Sequence, residues 1–227
     1  MTIRIGILGC GRIGQVHART IRSVDEATIV AVSDFIPAAA EKLAATCGAQ
    51  VRSTDDILAA DDIDAVIVGT PTDTHFDIIK TAAANGKAIF CEKPVDMSAD
   101  NIRTLIDHVD KAKVPFFTAF NRRFDPNFAH VQARIAAGDI GNVELVTILS
   151  RDPSPPPISY IKSSGGIFRD MMIHDLDMAR FLMGEDPVTI YAAGSALVDP
   201  EIGKAGDIDT AAVTLTTASG KVCQISN

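Results

Sequence analysis

Residues 3–14, Ile-Arg-Ile-Gly-Ile-Leu-Gly-Cys-Gly-Arg-Ile-Gly, constrain the fold of this chain more than any other stretch. Ile3, Ile5, Ile7 and Leu8 form a short apolar run that reads as a buried parallel strand. Gly9, Gly11 and Gly14 follow with the spacing G-x-G-x-x-G. The first glycine permits a tight turn, the second lets the backbone approach a pyrophosphate, and the third lets the next helix pack close to the strand. That helix would aim its free N–H groups and positive dipole end at the phosphates. Its context separates this turn from an ordinary glycine turn. A strand precedes it, a helical pattern follows (Ile13, Val16, Thr20, Val24), and a second strand from Thr28 ends in Asp34, twenty residues beyond Gly14. An acidic residue at that place is positioned to accept hydrogen bonds from the adenosine ribose hydroxyls. The stretch therefore predicts dinucleotide binding.

The first half continues as alternating strands and helices at the period of βαβ units. Helices are expected from Ala38 to Cys47, from a Ser53 cap to about Ala60, after the segment 70–75 as far as Ala84, and from Ala99 to Lys111 behind a Ser98 cap. Strands are expected at 49–51, 64–69, 88–91 and 114–120. This pattern predicts a doubly wound parallel sheet over residues 1–120. In such sheets ligands bind beyond the carboxyl ends of the strands. Gly9 to Gly14, Asp34, Thr70, Pro71, Glu92 and Lys93 all fall there.

From residue 121 to 227 the pattern changes. A helix is expected from Asn127 to Ala137 and a strand from Val143 to Leu149. Arg151 to Pro157 reads as a stiff extended loop. One continuous helix is expected from Ile167 to Met183, stopped by Gly184, and then strands near 188–197, 210–217 and 221–226. This predicts an α+β domain with a mostly antiparallel open sheet. Lys221 to Ser226 is expected to be left at an unpaired edge, which would favour association.

Composition narrows the partners. The formal charge is −8 with no Lys/Arg cluster, which argues against nucleic acid and anionic membranes. No apolar run approaches the length of a membrane span. Cys10, Cys47, Cys91 and Cys223 form no C-x-x-C pair, and they read as reduced thiols of a cytoplasmic protein. The chain opens directly on a strand, with no signal peptide expected. No His/Cys/Asp spacing matches a zinc site, so no metal is expected.

Four pieces in order, Gly9-Cys-Gly-Arg-Ile-Gly14, Gly69-Thr-Pro71 with His75, Glu92-Lys-Pro94, and Asp170-x-x-x-His174, resemble the Gfo/Idh/MocA oxidoreductases. Ser150-Arg-Asp-Pro153 and the segment from Gly165 to Arg180 look most like the inositol 2-dehydrogenases of that family. The resemblance implies a Rossmann domain that binds NAD through Gly9, Gly11, Arg12, Ile13, Gly14, Asp34, Thr70, Pro71, His75, Glu92 and Lys93. It implies that Lys93, Asp170 and His174 carry the chemistry. The reaction implied is hydride transfer from a polyol or sugar carbinol, as in myo-inositol going to its 2-keto form. The open sheet would make a homo-oligomer, a dimer or tetramer. Relatives of this type run about a hundred residues longer, so the second domain is expected to be incomplete.

Each of these residues also has a plainer reading. Asp170 and His174, four apart, would share a helix face beside an apolar stripe of Ile167, Met171, Met178 and Leu182. His174 is then a general base or a core histidine, and Asp170 orients it, holds a substrate hydroxyl or caps the helix. Lys93 stabilises charge on the reacting oxygen or merely closes a turn. Asn121, Arg122 and Asp152 suit a polyol as donors and acceptors, or are solvated loop groups. His75 is read as packing near the cofactor, and His17, His108 and His130 as structural or exposed. Three alternative functions stay open: a dehydrogenase of another sugar, an NAD-using glycosidase, and a catalytically silent dinucleotide-binding regulator.

Overall fold

The computed structural model describes residues 2–227, apart from the side chains of Lys162 and Ser163. The chain divides after Ala119 into two compact units, the second being Phe120–Asn227.

The first unit carries six parallel strands: β1 (Ile3–Leu8), β2 (Ala27–Ser33), β3 (Gln50–Val51), β4 (Ala65–Val68), β5 (Ala88–Cys91) and β6 (Phe116–Thr118). Their order in the sheet is β3-β2-β1-β4-β5-β6. Five helices connect them: α1 (Arg12–Ile21), α2 (Pro37–Cys47), α3 (Thr54–Ala59), α4 (His75–Ala84) and α5 (Ala99–Ala112). Side chains alternate across each strand, and both faces are covered. Ile5, Ile7 and Ile67 pack with Ala18, Ile21, Leu43 and Ala44 of α1 and α2. Leu8, Val66 and Val68 pack with Ile57, Ile79, Leu105 and Val109 of α3, α4 and α5. Strand order reverses between β1 and β4, which opens a crevice at the carboxyl ends where dinucleotides bind in such sheets.

The second unit is built from α6 (Pro126–Ala136), β7 (Leu145–Leu149), α7 (Ile158–Ser164), α8 (Ile173–Met183), β8 (Pro187–Ser195), α9 (Pro200–Lys204), β9 (Thr210–Thr217) and β10 (Val222–Ser226). Asp125 caps α6 by accepting the Asn127 N–H at 2.9 Å, and Pro126 sits at its first position. The sheet order is β7-β10-β9-β8, with β7 and β10 parallel and the other neighbours antiparallel. The expectation that 221–226 forms an unpaired edge is therefore wrong. β10 lies inside the sheet, and β7 and β8 are its edges. The helix α8 covers one face, where Val213, Leu215, Cys223 and Ile225 meet Met172, Ala179 and Met183.

The single helix expected over 167–183 also differs. Ile167–Met171 is a π turn, in which the Met172 N–H reaches the Ile167 carbonyl at 2.7 Å, and α8 begins only after it. Gly165 and Gly166 enter the turn with φ of +87° and +74°. The Asp207 carboxylate accepts the Ile167 N–H at 3.1 Å to each oxygen. A π turn holds one more residue than an α turn. The buried positions are thereby advanced from the expected Met171 and Leu182 to Met172 and Met183, while Ile167 and Met178 stay buried and Ala179 joins them.

Candidate active site

The dinucleotide turn is built by three glycines with three different constraints. Gly9 has φ +96°, and a Cβ there would collide with the Gly69 carbonyl. A Cβ on Gly14 would collide with the Gly9 carbonyl. A Cβ on Gly11 would meet nothing within 4 Å, so that edge of the turn faces open space. Gly11 is also the N-cap of α1 and supplies no side chain to the helix N–H groups. Those N–H groups are left for an anion. Arg12 is exposed beside them, and Ile13 is half-buried against Gly69.

Asp34 stands at the end of β2, half-buried. One carboxylate oxygen accepts the Cys10 N–H at 2.6 Å and the other accepts the Ile36 N–H at 2.8 Å. The turn and the acidic residue are thus one hydrogen-bonded unit. The Cys10 thiol lies beneath, donating to the Ser33 carbonyl at 3.4 Å. Burial, with the Asp34 charge adding, pushes that thiol up to about 12. These groups fit a dinucleotide: helix N-terminal N–H groups for its phosphates, a close-approach glycine, and a carboxylate directly after β2, where sheets of this type meet the ribose.

The loops after β4 and β5 are joined by His75. It is 1% exposed. Its Nε2 lies 2.9 Å from the Thr70 carbonyl, and its Nδ1 lies 3.1 Å from the Pro94 carbonyl. The Thr74 hydroxyl donates to the Thr70 hydroxyl at 2.7 Å. Pro71 is exposed, and Lys93 is half-buried directly after Glu92. Glu92 is held on both oxygens, by the His17 ring at 2.7 Å and by the Lys93 N–H at 3.3 Å. His17, expected to be structural or exposed, is thus a partner of Glu92, a pairing that no local sequence feature signals.

In the second unit Asp170 lies in the π turn, where its Oδ1 accepts the Tyr160 hydroxyl at 3.1 Å. His174 occupies the first turn of α8 and is half-buried. The two are thus not on one regular α-helix as expected. Two ion pairs tie α8 to residues 121–124. Arg122 donates to Asp175, which is fully buried and also accepts from the Asn227 amide. Arg123 grips Asp177 with two groups, at 2.8 Å from Nε and 2.6 Å from a terminal nitrogen. The Asp177 carboxylate raises the Arg123 guanidinium above its ordinary value. Arg123 also lies 5.1 Å over the Phe181 ring. Of the expected polyol contacts, Asn121 and Asp152 are exposed, and Arg122 is shared with Asp175. The pairing could have been suspected from the Arg122-Arg123 doublet set against Asp175 and Asp177. Among the described residues no group of three or more His, Cys, Asp or Glu could hold a metal ion. Nor is any helix there long and apolar enough to cross a membrane.

Comparison with known proteins defines the class. Residues 3–120 match the GFO/IDH/MocA oxidoreductases with an NAD-binding Rossmann fold, and residues 128–227 match a GFO/IDH/MocA C-terminal domain. The chain belongs to this family of NAD-binding oxidoreductases. It is 56% identical over 227 residues to an inositol 2-dehydrogenase of Rhizobium meliloti, covering all of this chain and 69% of that protein. It is 43% identical to a myo-inositol 2-dehydrogenase of Thermotoga maritima, covering 99% of this chain and 68% of the relative. The crystal structure of a scyllo-inositol dehydrogenase from Lactobacillus casei, with bound NAD(H) and scyllo-inositol, superposes with a TM-score of 0.92. That enzyme is 30% identical, and the match covers all of this chain and 69% of the other.

Proposed function

We propose that this protein is an NAD-dependent dehydrogenase of inositol ring hydroxyls, taking myo-inositol to its 2-keto product. The observation that carries the reading is 56% identity over all 227 residues to a relative named inositol 2-dehydrogenase. The turn from Gly9 to Gly14, with Arg12, Ile13 and Asp34, would hold the adenosine and pyrophosphate. Thr70, Pro71, His75, Glu92 and Lys93 would line the nicotinamide end. Bound NAD supplies the hydride acceptor. The chain's own part is proton transfer and orientation. A ring nitrogen of His174 takes the proton of the reacting hydroxyl. The Lys93 ammonium stabilises negative charge growing on that oxygen. Asp170 orients the imidazole or holds a neighbouring hydroxyl. Asn121, Arg122 and Asp152 offer donors and acceptors to the remaining hydroxyls.

The domain assignment we propose is cofactor binding by residues 1–120 and substrate binding and assembly by 121–227. The open face of the second sheet exposes Leu145, Leu149 and Tyr191, which supports a homo-oligomer formed through it. The four free cysteines support a cytoplasmic setting.

The test is to mix the protein with NAD and a panel of inositols, sugars and glycosides, following NADH absorbance and products. NADH accumulation with myo-inositol is expected. Turnover of glycosides without net NADH, or cofactor binding without turnover of any compound, would overturn the reading.

A further inference from the structure

His17 sits on α1, three residues after the last glycine of the phosphate turn, yet its ring reaches across to the end of β5. Nε2 lies 2.7 Å from Glu92 Oε1, with both side chains mostly buried. A carboxylate only accepts hydrogen bonds, so this nitrogen carries the hydrogen and donates. The second Glu92 oxygen accepts the main-chain N–H of Lys93 at 3.3 Å. The His17 ring is itself fixed edge-on against Phe90, with centroids 5.2 Å apart, and Phe90 stacks on Phe117. A continuous path therefore runs from the helix that faces the phosphates, through one carboxylate, to the backbone of the proposed catalytic lysine.

We infer that His17 is a positioning residue: by holding Glu92 it fixes the backbone from which Lys93 projects. The inference rests on the proposed role of Lys93. Without the donor at position 17, Glu92 is free to rotate, the Lys93 N–H loses its acceptor, and the ammonium is displaced from the reacting oxygen. Displacements near 1 Å cost on the order of 10²-fold in rate. The phosphate turn is untouched, so the loss falls on turnover rather than on NAD affinity.

Two substitutions separate this role from simple packing. His17→Phe keeps an aromatic ring against Phe90 and removes the donor. His17→Gln removes the ring and places an amide N–H near the former Nε2. The measurements are kcat, KM for myo-inositol, NAD affinity and thermal midpoint, with Lys93→Ala and Glu92→Gln alongside. The expected result is a fall in kcat of about 10–100-fold for His17→Phe, near-parental kcat for His17→Gln, and a His17→Phe/Glu92→Gln double variant no worse than its worse single. The reverse order, with Phe active and Gln impaired, makes His17 a packing residue and overturns the inference while Lys93→Ala stays inactive. Should His17→Phe fail to fold, parental kcat in Glu92→Gln overturns it equally. Parental turnover in Lys93→Ala removes the proposed role of Lys93 and the inference with it.

Discussion

The Asp34 carboxylate accepts the main-chain N–H of Cys10 at 2.6 Å, so the residue that ends β2 also latches the glycine turn that follows β1. Its second oxygen accepts the Ile36 N–H at 2.8 Å. The carboxylate proposed to choose the cofactor therefore also holds the turn.

Preference for NAD over NADP follows from this. A 2′-phosphate would meet a carboxylate, and the next three residues, Phe35, Ile36 and Pro37, offer no cation. Removing Asp34 should not simply relax the preference, because the turn loses an acceptor worth about 1.5–3 kcal/mol. Asp34→Ala is expected to weaken NAD binding by about ten- to a hundredfold, with no compensating gain for NADP. Fluorescence titration with both cofactors checks it, and equal or tighter NADP binding by the parent protein would refute the preference.

The three turn glycines should separate stability from binding. Gly11→Ala meets no atom within 4 Å. It should fold with a parental thermal midpoint and lose NAD affinity, because its methyl stands where backbone must approach phosphate. Gly14→Ala drives a methyl into the Gly9 carbonyl and should lower the midpoint itself. Calorimetry paired with NAD titration reads both. A Gly11→Ala variant with undiminished NAD affinity would show that the pyrophosphate does not cross this glycine.

The sequence made the first unit legible because its signals are local. The apolar runs at Ile5 to Leu8 and Ala65 to Val68, and the glycine spacing after the first, can be read within a few residues, although the group that keeps Gly9 bare is the distant Gly69 carbonyl. The second unit depends on distant partners. β10 is internal only because it finds β7 on one side and β9 on the other, and nothing within 221–226 announces the first of these. The π turn before α8 is held by Asp207, far along the chain, and a 3.6-residue period applied to Ile167 onward places Met171 where Met172 belongs. At the proposed site the residue types Lys93, Asp170, His174 and Glu92 could be named from motifs. What fixes them could not: His17 on Glu92 and Tyr160 on Asp170 are contacts between elements.

Thiol chemistry offers a check on the turn that needs no substrate. Burial raises the Cys10 thiol to about 12 and the Cys223 thiol to about 11, the nearby Asp34 and Asp175 charges adding in each case, and burial also raises Cys91. A folded value above the unfolded one, about 8.5, favours the thiol in the native state. Its contribution to stability is complete below about pH 8.5 and is lost as pH rises toward 11 and 12. Near pH 8, Cys47, the cysteine that is not buried, should be alkylated first and the other three should resist. Mass spectrometry after timed iodoacetamide treatment reads the order. Early modification of Cys10 would mean that the turn opens readily in solution.

The proposed catalytic groups make separable predictions. If His174 is the general base, His174→Ala should lower turnover by about 10²–10⁴. NAD affinity should hardly change, because the phosphates are assigned to Gly9 to Gly14. Lys93→Ala should lower turnover similarly and weaken binding near the nicotinamide end. Asp170→Asn should have a smaller effect that varies with the inositol stereoisomer, since the amide keeps one acceptor for the Tyr160 hydroxyl that donates to the carboxylate at 3.1 Å. Neighbouring carboxylates give the control. Asp177→Asn weakens the two-pronged grip of Arg123 and should lower the thermal midpoint while kcat per folded molecule holds. Steady-state kinetics on the four variants, with stability measured in parallel, tests the set. Near-parental turnover in His174→Ala would remove His174 as the base and leave Lys93 or a water relay to take the hydroxyl proton.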